Sequence, residues 1–163
     1  MRLNYAQVKQ LVSHRHPILL VDRVTEAAIG EWIRAEKNIT ANEFCYGEIE
    51  DEAHDPRAYA YPVTLMLESF CQAAYLLGRL SNSQTLSGRH IPLFGSIHQS
   101  TIYREAFPGD KLEHHARIVK NMGEAIVVGG EILINGQIAA EIGMALLMIK
   151  PSDAETIAGV KED

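Results

Sequence analysis

Residues 63–80 restrict the fold of this 163-residue chain more than any other segment. The spacing predicts one long helix. Leu65, Met66, Leu67, Phe70, Cys71, Ala73, Ala74, Leu76 and Leu77 cover most of its circumference. A helix apolar over so wide an arc has to be enclosed by other elements. Pro62 suits its start, because the missing N–H costs nothing in a first helical turn.

The rest of the chain supplies material for the enclosure. Asn4 is a candidate N-cap for a short helix over 5–13, with Tyr5, Val8, Leu11 and Val12 on one side and Pro17 beyond it. Ile18 to Thr25 and Trp32 to Ile39 read as strands joined through Ile29-Gly30-Glu31. Residues 42–62 read as irregular, with an acidic run from Glu48 to Glu52, and Ser81 to Gly88 as a polar loop. From Ile91 the pattern becomes that of strands: 91–107, 111–120, 124–134 and 137–149. Turns are expected at Pro108-Gly109-Asp110, at Asn121-Met122-Gly123, and at Asn135-Gly136, a pair suited to a two-residue hairpin. The expected class is α+β, a curved antiparallel sheet wrapped around one long central helix. Residues 1–150 form a single domain in this reading, and 151–163 a polar tail. One long helix cannot cover both faces of such a sheet, so self-association is expected.

Bulk properties narrow the function. Apolar residues make up 47% and charged residues 22%, enough for a real core. A net charge of −6 argues against nucleic acid as a partner. No apolar run is long enough to span a membrane, and Met1 to Gln7 lacks the apolar core of a signal peptide, so a cytoplasmic protein is expected. Cys45 and Cys71 show neither a disulfide framework nor a zinc pattern, and no metal is expected. Phosphate-cradling glycine loops, HExxH and the Gly-x-Ser-x-Gly elbow are absent from the sequence.

Two residues stand out chemically. His54 leads through the prolines at 56 and 62 into the long helix, and Glu68 is a carboxylate on that helix. An imidazole that takes a proton and a carboxylic acid that gives one are the two parts a dehydration needs. The plainer readings compete with this. Thr64, Glu68, Gln72, Tyr75 and Arg79 form one polar stripe, which is ordinarily the solvent face of a helix and in the sharper reading lines a cleft or a dimer seam. An isolated loop histidine is ordinarily a surface residue. Of the 7 histidines, His14 and His16 flank an arginine at a helix end, His98 is alone, and His114-His115 point to opposite faces of a strand. The free N–H groups at the start of the long helix, including that of Val63, could polarise a thioester carbonyl.

Several stretches resemble the β-hydroxyacyl-carrier-protein dehydratases of the FabZ type. His14-Arg15-His16-Pro17-Ile18-Leu19-Leu20-Val21-Asp22-Arg23 is similar to their H-R-x-P-x-L-L-V-D-R opening. His54, Pro56, Pro62, Leu65, Leu67-Glu68 and Gln72 follow their active-site run without a gap. Pro108-Gly109-Asp110 and Ile138-Ala139-Ala140-Glu141 match the C-terminal half. The chain departs from the pattern where Ala53-His54-Asp55-Pro56-Arg57 replaces Gly-His-Phe-Pro-Gly, and where Val63 replaces a glycine.

The resemblance implies a hot-dog fold and dehydration of 3-hydroxyacyl thioesters, on acyl carrier protein or CoA, to trans-2-enoyl thioesters. The setting would be fatty-acid or polyketide-type biosynthesis. His54 and Glu68 would be catalytic, contributed by different subunits of a dimer. The Val63 amide and Gln72 would bind substrate, and no cofactor would be needed. The expected assembly is a homodimer, a trimer of dimers or a mixed dimer. Two other classes fit the same residues: a catalytically silent subunit that partners an active dehydratase, and an acyl-thioester hydrolase on the same fold.

Overall fold

The computed structural model describes residues 1–49, 54–81, 90–122 and 125–151. Its elements run α1 (Tyr5–Leu11), β1 (Arg23–Ala28), β2 (Trp32–Asn38), the short 3-10 helices η1 (Phe44–Tyr46) and η2 (Pro56–Tyr59), and α2 (Val63–Ser81). Strands β3 (His90–Ile102), β4 (Lys111–Asn121), β5 (Ala125–Ile134) and β6 (Gln137–Pro151) follow. All six strands form one antiparallel sheet in the order β1-β2-β4-β5-β6-β3. The α+β class and the long helix are as expected. The acidic residues 50–52, most of the expected polar loop (82–88), Gly123 and the tail from residue 152 lie outside the described residues.

Helix α2 lies against the sheet, chiefly β2 and β4. Met66, Phe70, Ala73, Ala74, Tyr75, Leu76 and Leu77 are fully buried on it. The sheet answers by alternation: Leu112, His114 and Ala116 of β4 point inward, as do Ile126, Val128, Ile132 and Ile134 of β5. Two turns carry out their sequence signals. Asn135 and Gly136 both have positive φ, 52° and 74°, which a tight hairpin between right-twisted strands requires. Asn4 closes a capping box with Gln7 at the start of α1.

Three boundaries differ from the sequence expectation. Residues 18–22 are not strand, and β1 begins at Arg23. Their backbone groups are met elsewhere: Leu20 N–H donates to Gln72 Oε1 (2.9 Å), and Ile18 C=O accepts from Gln72 Nε2 (2.7 Å). Strand β3 stops at Ile102 rather than Phe107, because Tyr103 and Arg104 both turn their N–H groups to Ala139 C=O. Ala106 C=O accepts from Tyr61 N–H at 2.7 Å instead of continuing a ladder. Helix α1 ends at Leu11, and Tyr5 is exposed rather than packed. No helix among the described residues is long and apolar enough to cross a membrane.

The sheet bends around α2 at irregular pairings, one of them between Val128 and Gly130 on β5. A side chain is impossible there: a Cβ on Gly130 would sit 2.0 Å from His115 C=O and 3.0 Å from Ala116 Cα, both backbone atoms. Gly130→Ala is therefore expected to destabilise the fold by at least about 2 kcal/mol, since β4 and β5 must separate. A melting-temperature comparison checks this.

His114 is the odd member of the core. It is 0% exposed, and its ring meets Phe70 edge-on with centroids 6.3 Å apart. Neither ring nitrogen finds a partner among the described residues. Burial first, and the neighbouring His115 second, push its pKa down to about 3 from 6.5. The unfolded chain takes up a proton near pH 6.5 that the folded protein refuses until about pH 3. Stability is then complete, as far as this residue goes, above pH 6.5 and falls as pH drops through that window. The slope is about 1.4 kcal/mol per pH unit. Urea unfolding at pH 7 and pH 5 should show a smaller acid loss in His114→Leu than in the wild type.

Candidate active site

The site begins with how the chain reaches α2. Lys37 Nζ donates to Glu43 Oε1 at 2.5 Å, tying β2 to the approach of η1. Tyr46 of η1 packs on Tyr59 of η2 with ring centroids 6.2 Å apart. Between them the chain passes through His54, whose side chain is exposed. Asp55 caps η2, its Oδ1 accepting from Arg57 N–H at 2.9 Å, with Pro56 in the first turn. The aspartate that departs from the family pattern thus has a structural use beside His54. Tyr61 is buried and donates its N–H to Ala106 C=O, which fixes the chain just before α2.

At the helix start Pro62 C=O accepts from Leu65 and Met66 N–H, at 2.9 and 3.1 Å. The N–H groups of Val63 and Thr64 find no acceptor among the described residues. No acidic side chain occupies the first turn. The positive end of α2 is therefore open. Val63 is 39% exposed, so its isopropyl group stands at this end rather than in the core.

One turn into the helix, Glu68 is partly exposed, with 30% of its side chain accessible. Gln72 Nε2 donates to Glu68 Oε1 at 2.8 Å, and His14 Nε2 lies 3.4 Å from the same oxygen. Gln72 itself is 0% exposed. Its amide bonds Leu20, Ile18 and Glu68, so in the single chain it holds the carboxylate and the 18–20 segment rather than facing solvent. The polar stripe is not a solvent face: Gln72 and Tyr75 are in the core, while Thr64 is exposed and Glu68 half-buried. Polar groups can be buried this way when their hydrogen bonds are met within the protein.

Other candidate nucleophiles near Glu68 are disabled. Ser69 Oγ donates to Met66 C=O at 2.9 Å and is buried. Burial first, and the Glu68 carboxylate second, push the Cys71 thiol up to about 12. Among the described residues, no group of three or more His, Cys, Asp or Glu side chains could hold a metal.

The structure brings Gln72 and Glu68 together on α2, and puts Val63 at the helix start and His54 in the preceding loop. Sequence reasoning missed His14. It set this histidine aside as incidental, yet the ring reaches the Glu68 carboxylate across the fold. The only sequence signal was its place in the H-R-x-P stretch. Three other histidines behave as read: His98 is exposed, and His114 and His115 face opposite ways, the latter 3.4 Å from Glu131.

Comparison with known proteins identifies the family and the fold. The family model described as a FabA-like domain matches residues 12–143. A 3-hydroxyacyl-[acyl-carrier-protein] dehydratase FabZ from a Nitratiruptor species is 31% identical over 150 residues, covering 90% of this chain and 98% of that protein. Among solved structures, the dehydratase heterocomplex ApeI:P from Xenorhabdus doucetiae has a TM-score of 0.73 at 12% identity, covering 92% of this chain and 94% of that one. A hot-dog-like protein from Thermanaerovibrio acidaminovorans has a TM-score of 0.57 at 12% identity, covering 77% and 85%. On the match over residues 12–143, the FabZ relative at 31% identity and the shared architecture, the chain belongs to the FabA-like family and has the hot-dog fold.

Proposed function

We propose that this protein dehydrates 3-hydroxyacyl thioesters, carried on acyl carrier protein, to trans-2-enoyl thioesters in fatty-acid or polyketide-type biosynthesis. The observation that carries this is Glu68: a half-buried carboxylate near the open end of a buried helix, with one oxygen held by Gln72. The relation to the FabZ dehydratases supports the substrate class.

In this reading His54 takes a proton from C2 of the acyl chain. The electron pair moves into the C2–C3 bond, and the C3 hydroxyl leaves as water with a proton from Glu68. The thioester carbonyl gains negative charge as C2 loses its proton. The Val63 N–H, free at the positive end of α2, stabilises that charge. Gln72 acts by orienting Glu68 and not by touching substrate. Ser69 and Cys71 offer no nucleophile for a competing hydrolase.

Two copies of the chain share each site in this proposal, His54 from one and Glu68 from the other. Strand β3, 13 residues long, is one of the two edge strands of the sheet and has one side unpaired among the described residues. An edge of that length invites pairing with a second chain. The segment that follows β3 is bonded to Tyr61 at the foot of α2, so pairing there would bring a partner near the helix start.

Hydration of a short trans-2-enoyl thioester, followed by loss of enoyl absorbance, tests the reading. The wild type should consume substrate, on carrier protein better than on CoA. His54→Ala and Glu68→Gln should each slow it by about a hundredfold or more while the dimer mass is kept. An inactive wild type that becomes active only with a second hot-dog chain would favour the silent-subunit reading. Thiol release without dehydration would favour a hydrolase.

A further inference from the structure

We infer that His14 is a positioning residue for the acid: its Nε2–H and the Gln72 amide together hold Oε1 of Glu68, which leaves Oε2 as the oxygen that carries the transferred proton. The inference rests on Glu68 being the acid of the proposed dehydration. It starts from two independent observations. His14 Nε2 is 3.4 Å from Glu68 Oε1, and His14 Nδ1 is buried with no hydrogen-bond partner among the described residues.

The loop that carries His14 is built to hold it there. Arg15 Nη1 donates to Val12 C=O at 2.8 Å and to His14 C=O at 2.7 Å, locking the backbone on both sides of the ring's attachment. Ile18 and Leu19 N–H both donate to Arg15 C=O, at 2.9 and 3.0 Å. The next turn of the loop is fixed to α2 by Gln72, through Ile18 C=O and Leu20 N–H. One side chain therefore sets both where the His14 loop sits and where the Glu68 carboxylate points.

The buried Nδ1 selects the tautomer. A neutral imidazole carries its hydrogen on one nitrogen only. On Nδ1 that hydrogen would be a buried donor with no acceptor, which is unfavourable. On Nε2 it faces Glu68 Oε1. The carboxyl group then has the Gln72 N–H bonded to Oε1, His14 Nε2 within 3.4 Å of the same oxygen, and no donor on Oε2 among the described residues. A carboxylic acid does not keep its own hydrogen on the oxygen that already accepts from Gln72 and faces His14, so the hydrogen sits on Oε2. At 3.4 Å the His14 contact is longer than a full hydrogen bond, as catalytic contacts in substrate-free enzymes often are.

The tautomer and the orientation are tested separately. Ring 15N NMR of the wild type should show hydrogen on His14 Nε2 and a bare Nδ1. Glu68→Gln should move the Nε2 resonance. Hydrogen on Nδ1, or no response to Glu68→Gln, overturns the inference. This arm reads the contact whether or not the protein turns over, so an inactive wild type counts against the dehydratase reading alone. In the hydration assay, His14→Ala should lower kcat about tenfold with KM within about twofold and the melting temperature unchanged. His14→Gln, which can place an amide N–H near the lost Nε2, should recover most of kcat. Unchanged kcat in His14→Ala, or a fall in kcat and melting temperature together without recovery in His14→Gln, overturns it.

Discussion

The Gln72 amide makes its contacts in three directions from the middle of α2, and the geometry of the functional end depends on them. It accepts from Leu20, donates to Ile18 and donates to Glu68. Each bond satisfies a group that would otherwise be left unpaired in or beside the core, which is where a missing partner is most costly. The segment 18–20 reaches α2 through these bonds and not through a strand ladder. The loop that brings His14 to the carboxylate follows from them too. An apolar residue of similar size at 72 would pack well enough and still lose this register between loop and helix.

The enclosure of α2 is a second constraint. A helix apolar over most of its surface needs a sheet that curves, and curvature needs irregular pairing. Gly130 marks one such place, where the backbones of β4 and β5 approach too closely for any side chain. His114 shows that the core tolerates a polar ring when the ring stays neutral and packs edge-on to Phe70. The inner face is thus tightly specified, and the open N–H groups are left at the end where α2 begins.

Much of this was legible in the sequence, and the misses share a cause. Helix α2 announced itself through its apolar arc and Pro62. The β5–β6 hairpin announced itself through Asn135-Gly136, whose conformation is local. His54 and Glu68 were picked by residue type and by motif. Residues 18–22 look like a strand because Ile18, Leu19, Leu20 and Val21 have the composition of one. Ile18 C=O and Leu20 N–H bond instead to a side chain 54 and 52 positions downstream, which no local pattern encodes. Gln72 and Tyr75 were read with Thr64 as a solvent stripe because periodicity counts polarity and not whether a polar group is satisfied. His14 was passed over for the same reason, since only the fold brings it to Glu68.

Cys71 lies one helical turn beyond Glu68, buried, with its thiol held protonated by burial and by the carboxylate. A thiolate at that place would be a rival acceptor for any activated acyl group nearby, because thiolates exchange readily with thioesters. The feature that makes the inner side of α2 apolar therefore also guards against acyl exchange onto the protein. A sulfur atom can sit beside the Glu68 carboxylate without becoming trapped as an acylated dead end.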